Sequence, residues 1–390
     1  MARRRLLAFV LAAALGAAGV ATTTPEASAY PGAPWFRPSR TYAANYPDPA
    51  VIEVDGTYYA YATTTGGAYL PVLRYRGSPA NNFADGSWIA REAYTPPAAP
   101  AGYPCGTSTD SYFNDALPYP ARWGIVRPGA SCAQGRLVKD VMAPGVAKIG
   151  SRFVLFYAIR VAPTHAGINR YCISVAVSSS PIGPFADRSS RPLVCDRDPG
   201  GSIDPFPFVD SNGVVSLLWK SEGVPTGVAG MAPAPTRIFI RRLTPTGIAF
   251  AEGSTTKTLL VGPQQPGTWE GLVIENPSMV RYDGAYYLFY SANEWRSSAY
   301  AVGVARCTTA RGPCRKHTGN PVLRSRGTHL GPGAPAPIVV AGRIVLGHHW
   351  WNAPYTDYPA FPACMSQVPD CEHRGQRRLG FVAVGDAALP

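Results

Sequence analysis

Three acidic residues stand where they could act together. Asp48 and Asp204 each precede a proline, and Glu275 lies two residues before Pro277. Each opens a short β-like run that reaches a glycine six to eight residues after the proline. An acid before proline is often only a turn residue. The chain carries its own control, because the pattern occurs in five units: Tyr46 to Tyr61, Met142 to Tyr157, Ile203 to Trp219, Glu275 to Tyr290 and Gly333 to His348. The residue before the anchoring proline is in turn Asp48, Ala143, Asp204, Asn276 and Ala334. A fold that required a carboxylate there would carry one in every unit. Only two units do, and the fourth has Glu275 one place earlier, where the others have Pro47, Met142, Ile203 and Gly333. Unlike acids at equivalent places in a repeat are expected to converge on one site. Three convergent carboxylates suit hydrolysis of a glycosidic bond. One protonates the leaving oxygen and a second activates water or attacks the anomeric carbon. The third, close to the acid, keeps it protonated by like-charge repulsion. Rim Trp, Tyr and His side chains would offer flat faces to sugar C–H groups.

The elements that must position these acids are short strands. Gly and Pro number 40 each and Tyr 21, while only 15% of the residues are charged. Asp55-Gly56, Asn212-Gly213 and Asp283-Gly284 are hairpin turn pairs that favour positive φ. A second strand pair follows in most units, as in Ile173 to Ser178 and Ala301 to Ala305. Repeated four-stranded units of this kind predict an all-β, five-bladed β-propeller in which the first strand of each blade lines the axis. The fifth unit reaches the chain end, so the domain is expected over 30–390.

Residues 1–29 read as a secretory signal peptide. Arg3, Arg4 and Arg5 precede the apolar run Leu6 to Val20, and Ala27-Ser28-Ala29 offers a cleavage site. The run is too short for a comfortable membrane span. Eight cysteines, all beyond this leader and none with CxxC spacing, suggest disulfides in an exported chain. Sequence leaves the connectivity open; the simplest scheme pairs neighbours, Cys105–Cys132, Cys172–Cys195, Cys307–Cys314 and Cys364–Cys371. The formal charge of +12 is scattered, and the small group Arg374, Arg377 and Arg378 reads as solvated surface. A secreted monomer acting on an oligo- or polysaccharide is expected, with no nucleic-acid partner and no membrane partner after leader removal. Neither an HExxH nor a Gly-x-Ser-x-Gly element is present, so metallo-hydrolase and serine chemistry have little support.

Asn45-Tyr-Pro-Asp-Pro, Ser202-Ile-Asp-Pro-Phe and Ile274-Glu-Asn-Pro, each ahead of a glycine-centred hairpin, resemble the three catalytic segments of family 43 glycoside hydrolases. The resemblance covers nearly all of the chain beyond the leader. It implies a five-bladed propeller, an inverting reaction, and arabinofuranosides, xylosides or sometimes galactofuranosides as substrates. It also implies Asp48 as general base, Asp204 as pKa modulator and Glu275 as general acid. Met142, Trp295 and His349 are expected at the substrate. Met142 opens Met-Ala-Pro-Gly-Val where much of the family has Trp-Ala-Pro-Asp-Val, which removes a stacking ring and an acid. Gly331-Pro-Gly-Ala-Pro lacks the His that arabinan-cleaving members carry, and His349 is expected to replace it in part. No cofactor is required, with allowance for a structural ion near the propeller axis. Two other readings are a retaining fructosidase-like propeller, through Arg197-Asp198-Pro199, and a non-catalytic carbohydrate-binding propeller. The first lacks the Asn-Asp-Pro-Asn-Gly nucleophile motif. The second would be expected to repeat its binding residues in every blade.

Overall fold

A computed structural model describes residues 44–65, 68–92, 94, 97–101, 103, 115–126, 139–263, 267–358, 375–385 and 389. They form five antiparallel sheets, following the fivefold repeat. The first holds β1 (Ala50–Val54), β2 (Thr57–Tyr61), β3 (Val72–Ser78) and β4 (Asp85–Ala90). The second holds β5 (Val141–Ile149), β6 (Arg152–Val161) and β7 (Arg170–Ser178). The third holds β8 (Ser202–Val209), β9 (Val215–Ser221), β10 (Arg237–Arg242) and β11 (Lys257–Val261). The fourth holds β12 (Ile274–Tyr282), β13 (Ala285–Ala292), β14 (Ala301–Cys307) and β15 (Cys314–Lys316). The fifth holds β16 (His329–Val340), β17 (Arg343–Asn352) and β18 (Arg377–Ala383). The first strands touch in ring order, β1 to β5, β8, β12, β16 and back to β1. The protein is a five-bladed β-propeller.

Four strands per blade were expected, and two blades have three among the described residues. In the second blade the outer position is filled by single bridges, Ile173 with Val194 and Val177 with Ala186. Pro181, Pro184 and Pro192 interrupt this stretch, and proline cannot donate to a ladder. At the fifth blade the N-terminal segment closes the ring instead. Tyr46 donates its N–H to the Arg377 carbonyl (2.7 Å), and the Arg377 N–H donates to Asn45 Oδ1 (2.8 Å).

Five apolar clusters fill the spaces between neighbouring blades. Tyr61, Val72, Leu155 and Tyr157 join the first blade to the second, for example, and Leu218, Ile238, Leu288 and Tyr290 the third to the fourth. The second strands are therefore covered on both faces, which is why β6, β9 and β13 read as continuous apolar runs rather than alternating ones. Asp55-Gly56 and Asp283-Gly284 adopt positive φ at both residues, as tight hairpins require. Asn212-Gly213 does so only at the glycine, because the turn is a longer loop closed by Asp210 N–H to the Val214 carbonyl.

Each blade enters the axis through the same distortion. Asp48, Ala143, Asp204, Asn276 and Ala334 all lie in the left-handed region, with φ of 51°, 46°, 56°, 46° and 51°. The β5–β6, β8–β9, β12–β13 and β16–β17 ladders slip in register at this point. A bulge frees the local N–H from its own ladder, and the neighbouring blade takes it up. Ala143 N–H donates to Thr63 Oγ1 (2.7 Å), Asn276 N–H to Asp204 Oδ2 (2.9 Å), Ala334 N–H to Ser291 Oγ (2.7 Å) and Asp48 N–H to His349 Nδ1 (3.1 Å).

Cys172–Cys195 and Cys307–Cys314 are bonded as the neighbour scheme expected. Cys105, Cys132, Cys364, Cys371 and the leader lie outside the described residues. No described helix is long and apolar enough to cross a membrane. Replacing Ser291, which is fully buried, by Ala leaves the Ala334 N–H without its acceptor. Urea unfolding should show a loss of about 1–3 kcal/mol; an unchanged midpoint would mean that the bulge holds without the inter-blade bond.

Candidate active site

The shared entry geometry brings the acids to one place. Asp48 and Asp204 line a small cavity on the axis together with Ala143, Asn276, Ala334 and the prolines that follow them. Glu275 stands one residue before Asn276, whose N–H is held by Asp204. Its side chain is 14% exposed, and that of Asp48 is 12% exposed.

The two sides of the mouth differ in charge. Asp48 accepts from Arg377 Nη1 on β18 (2.8 Å) and from Thr63 Oγ1 (2.7 Å). Burial alone would raise its carboxyl, but the Arg377 charge and the Thr63 hydrogen bond outweigh that and hold it well below the usual carboxylate range. Because the Asp48 N–H donates to His349 Nδ1, that nitrogen carries no proton. The 3.4 Å approach of Nδ1 to Asp48 Oδ1 is therefore a contact beside a neutral ring rather than an ion pair. Burial, then the Arg377 charge, lowers the His349 pKa and keeps the ring neutral.

On the other side, Glu275 Oε2 takes a hydrogen bond from Lys220 Nζ (2.8 Å), and the Tyr300 hydroxyl stands 2.6 Å from Oε1. That hydroxyl is also 2.6 Å from Asn276 Oδ1. It has one proton, so it donates to Glu275 when the Asn276 amide is turned to donate in return. Burial, then the Glu275 charge, pushes the Asp204 carboxyl well above the ordinary value, although Lys220 opposes the shift. Asp48 is thus drawn toward its ionised form, while burial and the Glu275 charge draw Asp204 toward its protonated form. Tyr300 stacks on His349 (5.9 Å between centroids, 8° between planes) and so links the two sides.

Trp295 lies on the Asp48 side. Its half-buried ring stacks on Trp351 at 5.9 Å, and the Arg377 guanidinium sits 4.8 Å over it. Met142 is half-buried at the start of β5, one residue before the axial Ala143; it brings no polar group to the mouth. Asp198 is not at a blade entry. Its carboxylate accepts from Ser221 and from the Gly223 N–H, which closes a loop.

The axial cavity measures about 30 Å³, room for a water-sized occupant. Its lining is mostly proline and alanine, and its two carboxylates are already engaged with Arg377, Thr63 and the Asn276 N–H. That donor set fits a water better than a cation.

Fold and site together define a five-bladed propeller with three acids, two aspartates and a glutamate, gathered at one axial mouth. The model of the glycosyl hydrolases family 43 matches residues 126–342, more than half of the sequence, and the chain belongs to that family. It is 29% identical over 133 residues to an arabinoxylan arabinofuranohydrolase of Bacillus subtilis, a match covering 31% of this chain and 23% of that protein. It is 29% identical over 170 residues to a β-xylosidase of Xylanibacter ruminicola, covering 38% and 49%. The chain therefore matches less than half the length of either relative. A thermostable family-43 glycoside hydrolase shares the fold with a TM-score of 0.60 at 22% identity, over 90% of this chain and 92% of that one. An α-L-arabinofuranosidase of Lactobacillus brevis gives 0.58 at 16% identity, over 89% and 93%.

Three site residues were not anticipated. Arg377 was read as solvated surface, but it is only 6% exposed and paired with Asp48. Its charge is buried because β18 closes the ring beside the first blade entry. Tyr300 gave no distinct signal among 21 tyrosines. Lys220 did give one: it is the lone charge in Val-Val-Ser-Leu-Leu-Trp-Lys-Ser, an otherwise uncharged and mostly apolar strand, and a buried lysine calls for an acid partner.

Arg377→Met should move Asp48. In the wild type Asp48 stays ionised to below the ordinary carboxylate pKa of about 3.9. Its contribution to stability is present above that value and lost as pH falls through the depressed folded pKa. Without Arg377, burial dominates and the midpoint should rise above the ordinary value. Carbon-13 NMR titration of labelled aspartates checks this; an unmoved Asp48 resonance would mean that Thr63 and the backbone set its charge.

Proposed function

We propose that the chain is a secreted, inverting glycoside hydrolase that cleaves arabinofuranosides, or alternatively xylosides, of plant or cell-wall polysaccharide. Asp48 acts as the base that activates water, Glu275 as the acid that protonates the leaving oxygen, and Asp204 as the group that tunes Glu275. Trp295 and Met142 face the sugar, and His349, fully buried, acts on the site only through Asp48. The reaction needs only these carboxylates and water, and the enzyme works as a monomer. The leader and the two disulfides support export.

The observation that carries this reading is the split in charge across the mouth. Asp48 is held toward its ionised form by Arg377, as a base must be, whereas burial and the neighbouring Glu275 push Asp204 toward its protonated form, and Glu275 is bonded to Lys220. Inversion requires acid and base on opposite sides of the sugar, roughly 6.5–9.5 Å apart, with water between them. The names of the two sequence relatives favour arabinose- or xylose-containing glycans.

The test is kcat/KM against pH on an aryl furanoside, an aryl xyloside and an oligosaccharide, with NMR of the first-formed anomer. Asp48→Asn should abolish turnover of every substrate, since water must be activated whatever leaves. Glu275→Gln should be mild on aryl glycosides, whose phenolate leaves with little protonation, and severe on oligosaccharides. Asp204→Asn removes a neighbouring acid and should shift the alkaline limb to lower pH. Equal, modest losses in all three variants would make these acids structural, and glycan binding without turnover would favour a non-catalytic propeller. A first product of retained configuration would overturn inversion.

A further inference from the structure

Lys220 is held on the acid side of the mouth in a way that the three-carboxylate scheme does not use. It sits on β9, opposite Ile203 on β8, and is 4% exposed. Its Nζ contacts two carboxylates, Glu275 Oε2 at 2.8 Å and Glu222 Oε2 at 2.9 Å. Glu222 follows β9, is 29% exposed, and is fixed by its N–H to the Gly201 carbonyl (3.1 Å). Its stem lies over Gly200, where an added Cβ would come within 2.6 Å of it. One ammonium therefore stands between a carboxylate near solvent and the carboxylate assigned as the acid, with Asp204 close enough to feel its charge.

This creates a conflict for an acid catalyst. A cation at 2.8 Å favours the ionised form, yet Glu275 must deliver a proton. A second seat for the cation resolves the conflict without any change in net charge.

We propose that Lys220 is a positioning residue that sets when Glu275 takes up a proton, and that Glu222 is the seat that draws the ammonium away. The inference rests on Glu275 being the acid. In the resting site Lys220 donates to both carboxylates, Glu275 is ionised, and the proton of the acidic pair resides on Asp204. When a proton passes from Asp204 to Glu275, Asp204 becomes the carboxylate. Lys220 then gives up its bond to Glu275 Oε2 and keeps the one to Glu222. Glu275 passes its proton to the leaving oxygen and returns to the carboxylate, Asp48 takes a proton from the attacking water, and exchange with solvent removes that proton from Asp48 and returns one to Asp204. The other groups facing Glu275 are Tyr300, which can donate to Oε1, neutral His349, and the Asp48–Arg377 pair across the axis. None of them supplies a mobile cation.

Opposite responses of two variants test this. Glu222→Gln leaves Lys220 facing Glu275 alone, so the alkaline limb of the pH–rate profile should move to lower pH. The loss should be larger on oligosaccharides than on aryl glycosides. Lys220→Met removes the cation, and the limb should move to higher pH by about one to three units. Lys220→Arg keeps the charge and should restore the wild-type limb. Carbon-13 NMR titration of labelled glutamates, with Glu275 assigned by its loss in Glu275→Gln, reads the same two directions without turnover. If Lys220→Met does not fold, as judged by circular dichroism, Glu222→Gln alone decides, because it must lower the Glu275 midpoint. Shifts in the same direction, or unmoved midpoints with a uniform loss of rate, would overturn the inference and leave Lys220 a packing residue. Opposite NMR shifts in a protein that turns over no glycoside would support the charge relation and overturn only the hydrolase reading.

Discussion

The left-handed residue at each blade entry is the constraint on which the rest depends. A non-glycine residue in this conformation costs about 1–2 kcal/mol, and the chain adopts it at five entries. In return, the bulge points an N–H sideways, and at four entries the preceding blade in the ring supplies a side chain to receive it. The blades are thus fastened at the axis by hydrogen bonds between neighbours, inside the apolar clusters that join them further out. Alanine at two entries shows that the backbone does not need an acid there. Aspartate and asparagine at the other three tolerate the conformation more readily, so the chain has acids where strain is lowest and chemistry is closest.

From that frame the charges follow. Asp204 is both a fastener and a titrating group, because the oxygen that receives the Asn276 N–H belongs to the carboxyl beside Glu275. Asp48 is fastened through His349, and Arg377 supplies its counter-charge. The same few ångströms of backbone therefore decide stability and proton affinity together. Buried charges are tolerated here because each has a partner: Arg377 has Asp48, and Lys220 has Glu222 and Glu275.

Much of this was legible in the sequence, for a physical reason. Pro49, Pro144, Pro205, Pro277 and Pro335 mark the bulges, and the glycines after them mark the hairpins. Both are residues whose backbone limits are local. The asymmetry of Asp48, Asp204 and Glu275 against that background picked out the acids. What stayed hidden was set by closure of the ring. Arg377 lies among other arginines near the chain end, and nothing local says that it turns inward. That two blades show only three strands among the described residues was hidden likewise, since an outer strand depends on what remains to pair with it. Trp295, a rim aromatic in the sequence, stands beside Arg377, whereas Met142 is marked only by its position in the repeat.

Ring closure has a temporal side. Asn45 and Tyr46 precede the first strand, and the strand that receives them, Arg377–Ala383, follows every other described strand. Asp48 emerges with the first and finds its guanidinium only with the last. A nascent chain carrying four blades would hold the Asp48 carboxylate with no counter-charge and an open seam on both flanks. Docking of this last described strand therefore sets the electrostatics of the mouth, because it brings the Arg377 guanidinium to Asp48.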